Sequence, residues 1–222
     1  MADLEQLFSS VGTQFLVPLN IIQEKLDNVN AFLFDWDGVF NDGTKGHEVT
    51  SHFTEVDSMG INMLRFSYWL KTGELPYCAI ITGRHNKSAL NFAEREHFHA
   101  VCMGYTHKLE ALEFIGAEVD TSAFFFDDIL DLSVASQCKL RILIGRAQSP
   151  LMTETVKDKG WCEIITGSTG GDHALREACE LLIGSNGNWD SVLGSRVAFD
   201  DKYRAYLLAR NSVTTVLNEK SR

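Results

Sequence analysis

Short apolar runs alternate with longer amphipathic stretches along most of this chain. The runs at 31–34, 77–81, 100–103, 123–126, 141–144 and 163–165 are too short for buried helices and too continuously apolar for strands wetted on one face. Helical spacing fills the intervals near 58–71, 86–97, 107–116, 130–137, 150–159 and 173–183. Strands apolar on both sides and separated by helices predict an α/β fold, a Rossmann-like, doubly wound parallel sheet. The polar stretch 40–56, with Gly43 and Gly46, reads as a β-hairpin inserted after the first strand. Apolar positions at helical spacing before residue 28 (Leu4, Leu7, Phe8, Ile21, Ile22, Leu26) predict a helical N-terminal extension, with Pro18 suited to the first turn of its second helix. Past the flexible-looking Gly184–Asn188, the positions Phe199, Tyr203, Tyr206, Leu207, Val213, Val216 and Leu217 predict a terminal helix. The chain therefore divides into an extension at 1–29, a central domain at 30–184 and an extension at 185–222.

The chemistry gathers at strand ends. Asp35 and Asp37 follow the first run, Thr82-Gly83-Arg84 the second, and Asp127-Asp128 the fourth. In a parallel sheet these loops share one edge, where such folds bind ligands. Gly38 can turn both carboxylates of Asp35-Trp36-Asp37 toward one pocket, one as nucleophile and the other as general acid/base. Carboxylates so gathered repel one another unless a cation sits among them. Hard oxygen donors favour Mg²⁺, with Asp35 and Asp127 as ligands. Thr82, Gly83 and the helix-opening Lys108 suit phosphate oxygens and the charge that develops on a phosphoryl group.

Four motifs in this order, Asp35-Trp36-Asp37-Gly38, Ile81-Thr82-Gly83-Arg84, Lys108, and Asp127-Asp128 with Asp131, resemble the haloacid dehalogenase superfamily of aspartyl phosphohydrolases. Asp35 to Gly43, Asp57-Ser58-Met59-Gly60-Ile61 and Gly170-Gly171 through Arg176-Glu177 resemble the capless branch that acts on 3-deoxy-D-manno-octulosonate 8-phosphate and acylneuraminate 9-phosphates. The resemblance covers roughly 30–184. It implies no separate cap domain, a nucleophilic Asp35 and an Asp37 that protonates the leaving alcohol and then activates water. It also implies Mg²⁺ held by Asp35, the Asp37 main-chain carbonyl and Asp127, with Asp128 orienting metal-bound water. The resemblance further implies that Thr82, Gly83 and Lys108 bind phosphate, that Arg84 favours the octulosonate substrate, and that the assembly is a homotetramer whose hairpins, at Lys45 or His47, are expected to approach neighbouring pockets. Arg176 either binds a substrate carboxylate or pairs with Glu177 or Glu180. Asn41, Asn62, Phe126 and His173 depart from the branch pattern without removing a catalytic group.

Composition narrows the alternatives. A net charge of −10 without a basic cluster argues against nucleic-acid binding. Five scattered cysteines, none in a CxxC pair, predict reduced buried thiols. The absence of a signal-type segment or membrane-length apolar run predicts a cytoplasmic enzyme with no membrane partner. Competing readings are a phosphatase of broad or acylneuraminate 9-phosphate specificity and a non-catalytic scaffold retaining the fold.

Overall fold

The computed structural model describes residues 4–45 and 51–220. Its eight strands are β1 (Gln14–Phe15), β2 (Ala31–Phe34), β3 (Tyr77–Thr82), β4 (Ala100–Met103), β5 (Ser122–Phe126), β6 (Leu140–Leu143), β7 (Ile164–Ile165) and β8 (Val216–Glu219). They form one sheet in the order β1-β7-β6-β5-β2-β3-β4-β8. All neighbours are parallel except β1, which runs antiparallel to β7. The six predicted runs are the six inner strands, and both edge strands come from the extensions.

Alternation along the strands divides the apolar side chains between the faces. Phe32, Phe34, Ile80 and Phe125 share one cluster with residues of α1 (Leu4–Ser9), α2 (Leu19–Asp27), α3 (Glu55–Thr72), α4 (Lys87–Arg95) and α7 (Ala174–Ser185). Leu33, Ile81, Phe124 and Phe126 join a second cluster with α5 (Leu132–Ala135) and α6 (Pro150–Asp158). Both faces are thus dry, which is why the runs lack a polar side. Thr54 caps α3 by accepting from the Asp57 amide, and Gly73, at φ 77°, ends it in the left-handed conformation that glycine adopts without strain.

The extensions depart from their expected form. The predicted terminal helix is two helices, α8 (Trp189–Ala198) and α9 (Asp201–Asn211), followed by strand β8. Val213, Thr214, Thr215 and Val216 are β-branched, and their intrinsic preference for extended backbone overrode the helical spacing. Both extensions share the main core, through Phe8, Ile22 and Leu26 at one end and Val192, Tyr203 and Tyr206 at the other. Two predicted helices are tighter: 108–114 is 3-10, and a 3-10 turn at 129–131 leads into α5. Residues 40–45 and 51–54 carry no strand. The rest of the hairpin expectation, with His47, lies outside the described residues. Among those described, no second domain stands over the sheet, and no helix is long and apolar enough to cross a membrane.

Candidate active site

β2 lies between β3 and β5, so residues leaving the carboxyl ends of these strands are neighbours. Asp35 prolongs the ladder, its amide donating to the Phe125 carbonyl at 2.9 Å. The chain then turns: the Phe40 amide donates to the Trp36 carbonyl at 3.0 Å, and Gly38 takes φ 89°. Glycine is required there for space as well as for backbone sign, because a Cβ would sit 2.0 Å from Asp127 Oδ2. Gly170 presses on the same loop from behind, where a Cβ would lie 2.0 Å from the Gly38 carbonyl oxygen. Trp36 is fully buried and stacks on Phe40 at 4.4 Å between ring centroids, so it anchors the turn to the core.

Asp35, Asp37, Thr82, Gly83, Arg84, Lys108, Asp127 and Asp128 line one cavity of about 290 Å³, with Lys45, Thr106, Leu130 and Asp131. The buried Lys108 ammonium donates to both Asp35 and Asp131. Asp131 uses its other oxygen to accept the Asp128 amide at 3.1 Å and the Asp127 amide at 3.4 Å. Both its oxygens are engaged, so Asp131 fixes Lys108 and the 127–128 turn in place. Asp37 is more open and accepts from Lys45 Nζ at 2.6 Å, Ser51 Oγ at 2.9 Å and Asn86 Nδ2 at 3.3 Å. Asn86 also caps α4 and donates to Ser51 Oγ at 2.7 Å, tying this network to a helix end.

Burial dominates the electrostatics. It pushes the Asp35 carboxyl well above the usual carboxylate range, with the nearby Asp131 and Asp127 charges adding to the rise and Lys108 opposing it. Burial, reinforced by Asp131, raises Asp127 to about 6 although Arg146 opposes the shift. Burial disfavours the Lys108 ammonium, yet Asp35 and Asp131 outweigh that penalty and raise its pKa.

The donor set suits a hard divalent cation. Carboxylate oxygens of Asp35, Asp127 and Asp131 lie within 4.8 Å of one another. Asp127 Oδ1 is buried without a hydrogen-bond partner among the described residues, a costly state that a bound cation relieves.

Arg176 stands apart from this cavity. It lies on α7, where its guanidinium donates to Glu180 at 2.6 Å and its stem packs over Gly60. Its amide donates to buried Asp57 at 3.0 Å, so the Asp57…Gly60 pair and the Arg176 segment join α3 to α7. Lys45, expected near a neighbour's pocket, meets Asp37 of its own chain. Sequence reasoning gave no site role to Asn86, Ser51 or Arg146. Arg146 follows β6 at the same sheet edge, and that position was the signal that could have found it.

No family model matches the chain. It is 26% identical over 185 residues to 3-deoxy-D-manno-octulosonate 8-phosphate phosphatase KdsC of Escherichia coli, a match spanning 79% of this chain and 90% of the relative. The structure of the 3-deoxy-D-manno-octulosonate 8-phosphate phosphatase from Moraxella catarrhalis, a complex with magnesium, phosphate and KDO, superposes with a TM-score of 0.64. That match has 26% identity and covers 80% of this chain and 99% of that one. A haloacid dehalogenase superfamily hydrolase (subfamily III A) from Legionella pneumophila shares the fold, with a TM-score of 0.65, 23% identity and coverage of 81% and 96%.

Proposed function

We propose that this chain, a phosphatase of the haloacid dehalogenase superfamily's capless branch, is a Mg²⁺-dependent phosphomonoesterase acting through an aspartyl-phosphate, with 3-deoxy-D-manno-octulosonate 8-phosphate as substrate. The observation that carries this reading is the meeting of Asp35, Asp37, Thr82, Lys108 and Asp127 around one cavity at the carboxyl ends of the central strands. Similarity to enzymes named for that substrate supports the choice of sugar acid.

Each residue has a task that its surroundings explain. Asp35, held by Lys108, attacks phosphorus and takes the phosphoryl group as the ester oxygen departs. Asp37 gives that oxygen its proton, then removes one from the water that hydrolyses the intermediate. Lys45, Ser51 and Asn86 hold its carboxylate from one side. Thr82, Gly83 and Lys108 bind the phosphoryl oxygens, and Arg84 at the cavity wall faces the anionic substrate. Asp35, the Asp37 main-chain carbonyl and Asp127 would hold Mg²⁺, with Asp128 orienting its water. The ion supplies charge neutralisation between the carboxylates and the phosphoryl group. Tetrameric assembly and a cytoplasmic location belong to the same proposal.

A panel of 3-deoxy-D-manno-octulosonate 8-phosphate, an acylneuraminate 9-phosphate and p-nitrophenyl phosphate, each with EDTA and with Mg²⁺, tests the reading. The expected result is metal-dependent turnover with the highest kcat/KM on the octulosonate. A higher value on the acylneuraminate would overturn the substrate. Absence of Mg²⁺-dependent turnover on all three would overturn the activity.

A further inference from the structure

The two oxygens of Asp127 have different surroundings. Oδ2 is engaged by the Arg146 guanidinium, whereas Oδ1 is buried and unpartnered. The pair forms over Gly38, where a Cβ would lie 2.0 Å from Asp127 Oδ2 and 2.6 Å from the Arg146 guanidinium. Arg146 therefore occupies the inner end of the catalytic loop, on a carboxylate that the metal reading assigns to the cation. Its side chain stays 31% exposed while that of Asp127 is 2% exposed, so the arginine reaches in from outside. Arg146 also lines a second cleft, of about 350 Å³, together with Gln14, Thr153, Glu154 and Thr166 among others, a volume that can take a displaced guanidinium.

We propose that Arg146 is the counter-ion that Asp127 exchanges for the divalent cation, and that it thereby sets how tightly the site binds metal. This rests on the metal assignment made above. A guanidinium beside a cation site repels the incoming ion while neutralising the carboxylate that the ion needs. Metal binding must therefore move Arg146 away from Asp127 into this second cleft or proceed against its charge. In exchange, the metal-free site escapes a cluster of unneutralised buried carboxylates. Arg146 acts through Asp127 and is a positioning residue.

Calorimetric titration of the metal-free enzyme with Mg²⁺ and with Mn²⁺ tests this on wild type, Arg146→Met and Arg146→Lys. Close charge pairs couple strongly enough that loss of the positive charge should tighten metal binding about tenfold or more. Arg146→Met should also melt lower than wild type in EDTA and gain more on adding Mg²⁺, with Arg146→Lys, which keeps the charge, closer to wild type. Nitrogen-15 spectra of wild type supply a measurement that needs no folded methionine variant. The Arg146 Nε resonance should shift as Mg²⁺ is added and return with EDTA. Binding by Arg146→Met within twofold of wild type, weaker binding, or an Arg146 signal indifferent to Mg²⁺ would overturn the exchange while leaving the metal site standing. No binding by wild type would overturn the metal site and the exchange with it.

Discussion

Asp35 and Asp37 are two residues apart, yet their surroundings separate them. Asp35 is buried against Lys108, and Asp37 faces the opening with Lys45, Ser51 and Asn86. Asp35→Asn preserves volume and removes the proposed nucleophile, so turnover should vanish while the melting temperature stays near wild type. Near-wild-type hydrolysis by a homogeneous sample would sink the covalent route. Asp37→Asn should slow kcat by ~10²–10⁴-fold, the usual worth of general acid/base help, and a loss of less than about tenfold counts against its role. His99 yields a prediction remote from the site. This residue is half-buried, stacks on Tyr77 and accepts the Cys78 amide at 3.0 Å through Nδ1. Burial, helped by Arg65, lowers its pKa to about 4. The unfolded chain takes up this proton near its ordinary pKa of 6.5, before the folded protein does, so stability falls as pH drops from there toward 4. Discounted for the half-exposed ring, the loss is about 1–2 kcal/mol. Denaturant unfolding at pH 7 and pH 5 should show a smaller pH effect in His99→Asn than in wild type.

At the scale of elements, β8 is the most consequential departure from expectation. Parallel pairing of Ala100–Met103 with Val216–Glu219 covers an edge that β4 would otherwise expose. The strand also reaches the loops that carry Thr82-Gly83-Arg84 and Lys108. Glu219 pairs with His85 at 2.6 Å, directly after Thr82-Gly83-Arg84, while Asn218 accepts from Tyr105 and Lys220 pairs with Glu110 on either side of Lys108. Ending the chain after Ser212 should therefore loosen both loops. KM for p-nitrophenyl phosphate is expected to rise several-fold, with kcat less affected because Asp35 and Asp37 lie on another loop. An unchanged KM in a folded truncated protein would limit β8 to edge protection.

Among the described residues the sheet separates two apolar cores, and both extensions take part in the larger one. A capless cavity open to solvent still needs enclosure to recognise a small sugar phosphate. That need supports assembly with other copies, although Lys45 serves Asp37 of its own chain. Light scattering at assay concentration should report a mass about four times that of the 24.8 kDa chain. A fully active monomer would shift substrate recognition onto Arg84 and the residues around the cavity.

The periodicity of 30–184 was enough to predict the inner sheet, because strands buried on both faces must be apolar at every position, as Ala31–Phe34 and Ser122–Phe126 nearly are. It also placed Asp35, Asp37, Thr82, Lys108 and Asp127 at one edge, since parallel strands all end on the same side. Local pattern could not decide which of two faces a remote segment joins. For that reason the strand pairing of 14–15 and 216–219 was invisible in it, and so were the packing of Arg176 against α3 and the contact of Arg146 with Asp127, whereas the helix carrying Arg176 and its pairing with Glu180 were legible. The hidden contacts depend on packing between segments more than a hundred residues apart, or on a side chain reaching across two loops, and only the tertiary structure brings them together.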